Sequence, residues 1–294
     1  MQEHVFKMNI KGHSGCDLSI RKIGKTTLVT KSTTVPAYVS RLKKQADKQR
    51  RFNSFENLNI HVPKIYGELE LPDYYSFDME YCDGLSFVSF FEIADKENLL
   101  WFYQQLEKFI WSSINQSTVE SIKISLILDK IAQVEESCDR QIVLLHGFED
   151  HFVALKHAFK DMGDTISLPI GPMHGDLTLS NIMIKNNESI SLFDFLDSFI
   201  ESPLLDIVKL RQDTRHHWSL NMLSSKSDIT RLKILLEYLD SLVSKSFSSL
   251  DAYKNFYTPF QILNLLRILP YAKSEMVIKY LHTEINKLMG SELS

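Results

Sequence analysis

Three polar residues near the middle of the chain have the types and the spacing that phosphoryl transfer requires. His174-Gly175-Asp176 is followed by Asn181 and, thirteen residues after Asn181, by Asp194. The Asp176 carboxylate could accept the proton of a substrate hydroxyl, and Asn181 and Asp194 could hold Mg²⁺ ions that bridge nucleotide phosphates. The alternative is that these short motifs are ordinary loop and strand sequence that occurs by chance, and their spacing and the features upstream argue against it.

A hairpin between the two candidate metal ligands would bring them together. Residues 182–185 and 190–193 have strand-like sequences. The residues between them, Asn186-Asn187-Glu188-Ser189, read as a turn because Asn tolerates turn dihedral angles and bonds its own backbone. If Lys185 pairs with Ile190, the two candidate ligands lie opposite each other at the open end of the hairpin, and the candidate base lies on the loop just before it.

The segment from Met173 to Leu210 resembles the aminoglycoside phosphotransferase and choline kinase superfamily, a branch of the protein-kinase-like fold. That family carries an HGD-x-x-x-x-N catalytic loop, an I-D-[WF] metal motif and a D-[LI] segment. The last two correspond here to Phe193-Asp194-Phe195, in which Phe193 replaces the usual Ile, and to Asp206-Ile207. Weaker matches extend over most of the chain.

The resemblance implies an α+β, two-lobed protein-kinase-like fold. The N-lobe would cover residues 1–82 and consist of a nucleotide-binding β-sheet with one helix, and the mainly helical C-lobe would cover residues 83–294. ATP would bind in the cleft. Asp206 would brace the catalytic loop by hydrogen bonds.

A hairpin near the N-terminus would carry a phosphate-binding lysine. Residues 18–23 and 26–32 are strand-like and are joined by the two-residue loop Gly24-Lys25. Pairing Ile23 with Thr26 places Lys31 on an otherwise apolar face, together with Leu18, Ile20 and Val29. A lysine there is costly unless it has an anionic partner. Taken alone, Lys31 reads as a solvated lysine of an edge strand.

The loop before this hairpin, with Gly12, Ser14 and Gly15, could let the backbone approach phosphates closely. Together with Lys31 it resembles the nucleotide loop and the phosphate-binding lysine of the family, although most G-x-x-G pairs are plain turns. At the far end of the lobe, Met79 to Gly84 resembles the hinge between lobes. The backbone groups of Glu80 and Cys82 would bind the adenine edge there.

The helix expected from about Ala37 to Phe52 departs from the family pattern. In the kinase-like fold this helix supplies a glutamate that orients the lysine, but the best-matching position here is Gln45. Glu56 is a possible substitute that nothing local requires. The partner of Lys31 is therefore open, and the basic residues of the helix read as a solvated face.

The rest of the chain reads as helical. Apolar residues recur at steps of three and four from about residue 95 to residue 163, and again from 229 to 289. Pro169 and Pro172 would end regular structure before the catalytic loop. After Asp206 another helix is expected, on which Arg211, Arg215 and Trp218 share a face. That face either contacts an anionic or sugar-like substrate or is a solvated surface with a buried Trp.

Composition narrows the class of protein. The 294 residues are 44% hydrophobic and 24% charged, which suits a globular enzyme. The net charge of −4 argues against a general nucleic-acid binder. Three scattered cysteines suggest no disulfide framework or metal site, so a cytoplasmic location is expected. No apolar run approaches the roughly 20 residues that span a bilayer.

These observations predict an ATP- and Mg²⁺-dependent phosphotransferase that acts on a hydroxyl of a small molecule such as a sugar or an amino alcohol. A protein kinase is the first alternative, but the HRD arginine and a following Ala-Pro-Glu are missing, and the stretch from Asp194 to Asp206 is too short for a long activation segment. The second alternative is a non-catalytic nucleotide-binding regulator, which Gln45 favours weakly. The third is a helical binding module. The acceptor and the oligomeric state are left open.

Overall fold

The computed structural model describes residues 10–11, 16–24, 26–52, 58–185, 187–223 and 227–292. The chain divides by its backbone contacts into two compact units. The first comprises the described residues up to Phe109 together with His174–Asp176 and Ser180–Ser198, and the second comprises Ile110–Met173, Leu177–Leu179 and the described residues from Phe199 onward. The expected α+β composition, with a β-rich N-terminal region and a mainly helical C-terminal part, is confirmed. The lobe boundary after residue 82 stays a prediction.

The strands of the first unit form two sheets. One sheet has the order β1-β2-β3-β6-β5, and the other has the order β4-β10-β9. Their bounds are β1 Ile10–Lys11, β2 Asp17–Ile23, β3 Thr26–Thr33, β4 Ile60–His61, β5 Ile65–Leu71, β6 Tyr74–Glu80, β9 Ile182–Lys185 and β10 Ser189–Leu192.

The register predicted for the first hairpin is confirmed. Ile23 pairs with Thr26, and Lys31 lies opposite Leu18. Gly24 has φ 63° in the connecting loop, a conformation that glycine adopts without steric cost. On its other side, β3 pairs with β6 so that Lys31 lies opposite Phe77.

Helix α1, Pro36–Arg51, covers one face of the larger sheet. It begins with a proline at its first turn, where the missing N–H costs nothing. Basic residues in its last turn interact favourably with the negative end of the helix dipole. Leu42 and Ala46 on the apolar stripe of α1 pack in one core with Tyr75, Phe77 and Met79 of β6 and with Cys16.

The remaining helices lie mostly in the second unit. Their bounds are α2 Phe87–Ile93, α3 Lys96–Asn115, α4 Ile124–Ser137, α5 Arg140–Leu145, α6 Phe148–Lys160, α7 Pro203–Thr214, α8 Ile229–Phe247, α9 Asp251–Leu266 and α10 Glu275–Glu292. Short 3₁₀ turns occur at Leu179–Asn181, Trp218–Met222 and Leu269–Tyr271. No helix in the described part of the chain is long and apolar enough to cross a membrane.

The expectation of uninterrupted helices between residues 95 and 163 is wrong at one place. Strand β7, Thr118–Lys123, pairs with strand β8, Thr165–Ile170, in an antiparallel ribbon. Pro169 therefore lies within a strand, which a two-stranded ribbon tolerates because each strand has an open edge. The sequence of β7 gives little strand signal, because its apolar residues Val119 and Ile122 are three positions apart and most of the strand is exposed.

The packing of α1 on the sheet can be tested by a matched pair of substitutions. Leu42 is 1% exposed in the core under α1, whereas Leu69 on β5 is 51% exposed. We expect Leu42→Ala to lower the free energy of unfolding by about 2–5 kcal/mol, since it removes buried methyl groups and leaves a cavity. Leu69→Ala should change it by less than about 0.5 kcal/mol. Denaturant titration followed by circular dichroism measures both, and equal losses would contradict the packing described.

Candidate active site

The site is built on a close crossing of two backbone segments. The Leu196 N–H donates to the His174 carbonyl over 2.9 Å. Gly175, between His174 and Asp176, has φ 89°, and a Cβ atom there would overlap the Leu196 carbonyl oxygen. Glycine is therefore required for both reasons, and the crossing brings the segment of the candidate base against the segment that carries Asp194.

The His174 imidazole bonds to both segments. Its Nε2 donates to the Phe193 carbonyl at 3.0 Å, and its Nδ1 accepts the Asp176 backbone N–H at 3.1 Å. This pattern requires the neutral ring, protonated on Nε2. Complete burial lowers the pKa of His174 to about 4, against the opposing influence of the Asp176 and Asp194 carboxylates. His174 is thus a positioning residue and not a proton acceptor.

The candidate base and one candidate metal ligand are joined directly. The Asn181 Nδ2 donates to the Asp176 backbone carbonyl at 2.8 Å and to the Asp176 Oδ2 at 3.0 Å. These two bonds orient the amide so that its Oδ1 is the atom left to face a cation.

The register predicted for the hairpin between the two ligands is wrong by one residue. Lys185 pairs with Ser189 and not with Ile190, and Asn187 adopts φ 55° in the loop. Phe193 therefore lies opposite Asn181, with its N–H donating to the Asn181 carbonyl at 3.2 Å. Asp194 follows one residue later with φ 65°, a left-handed conformation that Asp tolerates better than most residues.

Lys31 is brought to Asp194 across the first unit. Its Nζ lies 2.7 Å from the Asp194 Oδ1, and its side chain is 3% exposed whereas that of Asp194 is 36% exposed. The expectation that this lysine needs an anionic partner is met by the same carboxylate that was predicted to bind metal.

A second lysine, which the sequence did not single out, ties α1 to the same segment. The Lys48 side chain is buried, and its Nζ donates to the Leu196 carbonyl at 2.7 Å. Gln45, which stands where the family has a glutamate, is also buried, and its Oε1 accepts no hydrogen bond in the described part of the chain. The basic residues of α1 are therefore not all on a solvated face.

The predicted hinge lies against the hairpin strand β9. Leu85 and Ile184 exchange both backbone hydrogen bonds at 2.9 Å. The Glu80 N–H donates to the Lys64 carbonyl, and the Glu80 carboxylate accepts from His61. Burial raises the pKa of the Cys82 thiol, although the side chain of Ser191 hydrogen-bonds to it and opposes the shift. Gly12, Ser14 and Gly15, and also Glu56, lie outside the described residues.

The donor set fits a magnesium ion. A carboxylate from Asp194 and an amide oxygen from Asn181 are hard oxygen ligands of the kind that Mg²⁺ prefers, and Mg²⁺ commonly takes only one or two carboxylates from the protein. Nitrogen and sulfur ligands of transition-metal sites are not grouped anywhere in the described ranges, where no cluster of three or more His, Cys, Asp or Glu could hold a metal.

Comparison with known proteins agrees with the motifs. The family model described as the phosphotransferase enzyme family, APH, matches residues 125–226. The predicted resemblance to this phosphotransferase family is confirmed over those residues. The predicted enzyme class, a small-molecule kinase, is confirmed with it. No curated protein sequence matches the chain.

Solved structures of phosphotransferases share the fold over nearly the whole chain, which confirms the two-lobed kinase-like prediction. The GDP and kanamycin complex of APH(2")-IIia has a TM-score of 0.66 at 12% identity, over 99% of this chain and 95% of that one. A thermostable mutant of APH(4)-Ia, in a ternary complex with AMP-PNP and hygromycin B, has a TM-score of 0.63 at 12% identity, over 97% and 94%. Spectinomycin phosphotransferase APH(9)-Ia, with ADP and spectinomycin, has a TM-score of 0.56 at 10% identity, over 99% and 94%.

The acceptor face predicted from the sequence does not form as expected. Helix α7 ends at Thr214, and His217 adopts φ 54° before the 3₁₀ turn that begins at Trp218, so Arg211, Arg215 and Trp218 do not share one helical face. Arg211 is 4% exposed and holds the Asp240 carboxylate through Nε at 2.8 Å and Nη2 at 2.7 Å.

The environment of Arg211 is that of a structural ion pair. Burial lowers its pKa, but the hydrogen bonds to Asp240 and the electrostatic interactions with Tyr257, Asp240 and Tyr253 together outweigh burial and raise the pKa above its ordinary value. The guanidinium also lies 4.5 Å from the centre of the Tyr257 ring. The substrate role predicted for the three residues therefore loses its premise. The sequence could not reveal Asp240, which is 29 residues away.

Another buried carboxylate, Asp213, was also missed. Its Oδ2 accepts the Leu179 N–H at 2.8 Å, and its Oδ1 accepts the Ser219 N–H at 3.1 Å. Leu179 begins the 3₁₀ turn that ends at Asn181. Asp213 lies two helical turns after Asp206, which is 1% exposed and whose bracing role stays a prediction.

The neutral state of His174 predicts a pH dependence of stability. Because its folded pKa of about 4 lies below the ordinary 6.5, the unfolded chain binds more protons between these values, and stability should rise with pH across that window. We expect His174→Gln, which keeps a donor toward Phe193, to lower the maximal slope by about 1.4 kcal/mol per pH unit. Urea titrations from pH 4 to pH 7 measure the slope for both proteins. His151, His216 and His217, whose pKa values are also lowered, remain in both.

The backbone crossing predicts that Gly175 tolerates no side chain. Gly175→Ala should lower the free energy of unfolding by more than about 2 kcal/mol, because it combines a left-handed backbone with an overlap on the Leu196 carbonyl. Gly67→Ala is the matched control, since a Cβ atom there meets nothing within 4 Å and its φ is not in the left-handed region. Thermal unfolding monitors both variants, and equal melting temperatures would contradict the crossing.

Proposed function

We propose that the chain transfers the γ-phosphoryl group of ATP to a hydroxyl of a small molecule, with Asp176 as the base. The observation that carries this proposal is the joint placement of Asp176 on Asn181, at 3.0 Å, and of Asp194 on Lys31, at 2.7 Å. The residues proposed as base and metal ligands and the buried Lys31 thus all belong to one compact unit.

Each residue has a separate task in this proposal. Asp176 orients the acceptor hydroxyl and takes its proton onto a carboxylate oxygen, a contribution usually worth about 10²–10⁴ in rate. Asn181 and Asp194 hold Mg²⁺, which supplies positive charge to the phosphates when bound. Lys31 contacts the phosphates, and the backbone carbonyl of Glu80 and the backbone of Cys82 contact the adenine. Because the transition state is loose, positioning and charge matter more than a strong base.

The structures similar to this chain suggest the chemical class of its substrates and not their identity. AMP-PNP, ADP and GDP are the nucleotides in the related structures, and hygromycin B, spectinomycin and kanamycin are the other molecules bound there. We therefore propose a nucleoside triphosphate as donor, with ATP first, and a small hydroxylated molecule as acceptor. Aminoglycosides, other sugars and amino alcohols form the acceptor panel for testing.

Two conservative variants test the roles. Wild-type protein with ATP and Mg²⁺ should release ADP in response to one member of the acceptor panel. Asp176→Asn should lower that turnover by at least about a hundredfold while nucleotide binding persists, because it removes only the proton acceptor. Asp194→Asn should abolish the Mg²⁺-dependent turnover, because it removes the carboxylate proposed to bind the ion. Asp197→Asn, whose carboxylate lies 4.0 Å from Lys44 at the surface, is the control and should keep its turnover.

Coupled ADP assays and nucleotide titrations separate the alternatives. Nucleotide binding without transfer to any acceptor would favour the regulator, and transfer that persists within a fewfold in Asp176→Asn would remove Asp176 as the base.

A further inference from the structure

The buried ammonium group of Lys31 is paired with the carboxylate of Asp194. Lys31 is 2% exposed, and among the described residues Asp194 is the carboxylate within ion-pair distance of its Nζ. A buried ammonium without a paired anion is strongly unfavourable. Asp194 is therefore needed twice, once by Lys31 and once, in the proposed function on which this inference rests, by the metal.

The residue that could relieve this conflict is neutral. Gln45 lies on the buried stripe of α1 between Leu42 and Ala46, and both of these pack in the core with Phe77, the cross-strand neighbour of Lys31. The Gln45 side chain is 7% exposed. Its buried Oε1 accepts no hydrogen bond within the described ranges. A carboxylate at this position would add a negative charge to the face of α1 that packs against the cross-strand neighbour of Lys31, whereas the amide adds none.

We propose that Gln45 makes metal binding conditional on nucleotide: with an amide on α1, Lys31 occupies Asp194 until phosphates replace that carboxylate as its anionic partner. A divalent cation that arrives alone must compete with Lys31 for Asp194 and is repelled by the ammonium. When phosphates are present, Lys31 turns to them and Asp194 is released. Nucleotide and metal therefore bind with positive coupling, and the coupling is reciprocal.

The proposal differs from a plain metal site in what nucleotide-free protein does. We expect Mn²⁺, followed by the electron paramagnetic resonance of the free ion, to bind wild-type protein at least about tenfold more weakly without nucleotide than with AMP-PNP. Gln45→Glu replaces the amide by a carboxylate of the same shape and so adds a second negative charge near Lys31. It should tighten Mn²⁺ binding without nucleotide at least about tenfold and change binding with AMP-PNP by less than about threefold.

Three further variants separate the causes. Ser40→Glu adds one carboxylate at an exposed position of the same helix and should leave the Mn²⁺ affinity unchanged within about twofold, since exposed charges are screened. Lys31→Met removes the competing cation and should tighten Mn²⁺ binding without nucleotide, as Gln45→Glu does. Adding Asp194→Asn to Gln45→Glu should remove the gain, which locates the ion at Asp194. Thermal unfolding of each variant confirms that it is folded.

The outcomes distinguish this inference from the function on which it rests. If wild-type protein binds neither AMP-PNP nor Mn²⁺ in the presence of the other, the proposed function fails. If it binds both, but Gln45→Glu and Lys31→Met leave the nucleotide-free Mn²⁺ affinity at the level of Ser40→Glu, the role assigned to Gln45 is wrong and the function stands. Tight Mn²⁺ binding to nucleotide-free wild-type protein would also overturn the role assigned to Gln45.

Discussion

The crossing of the His174–Asp176 segment and the Phe193–Leu196 segment is the constraint on which the rest of the site depends. Gly175 lets the two backbones touch, and the neutral His174 ring bonds to both of them. Neither contact involves a reacting group. The candidate base and Asp194 are 18 positions apart in the sequence. These contacts hold them on neighbouring backbone segments, so the positions of both side chains are set by the backbone crossing.

The two hairpins show what local sequence can and cannot settle. In β2–β3 the short loop at Gly24 and the apolar alternation agree on one register, and the prediction was right. In β9–β10 the predicted register rested on a four-residue turn at 186–189, and it was wrong by one residue because Ser189 already belongs to β10. Matching buried side chains across the strands would have given the observed register, because it pairs Ile182 with Leu192 and Ile184 with Ile190.

The buried polar contacts of the second unit could not be predicted in the same way. Helical periodicity identifies a buried face, but nearly every residue of α7 is buried, so no face stands out. Arg211 was read as a substrate-facing residue because it follows the metal motif, yet its carboxylate partner comes from α8. Contacts of this kind depend on tertiary packing, and a single sequence carries no signal for the partner of a buried charge. The family motifs identified the site because they record geometry that local pattern does not.

The departure at Gln45 also divides two tasks between two lysines of the first unit. In the family pattern one lysine bound to a helix glutamate both receives the phosphates and links the helix to the site. Here Lys31 holds Asp194, while Lys48 on α1 donates to the Leu196 carbonyl two residues further on. The link between α1 and the segment that carries Asp194 is therefore a hydrogen bond to backbone that needs no nucleotide. Under the proposed function, Lys31 can therefore leave Asp194 for the phosphates without detaching the helix from the segment that carries Asp194.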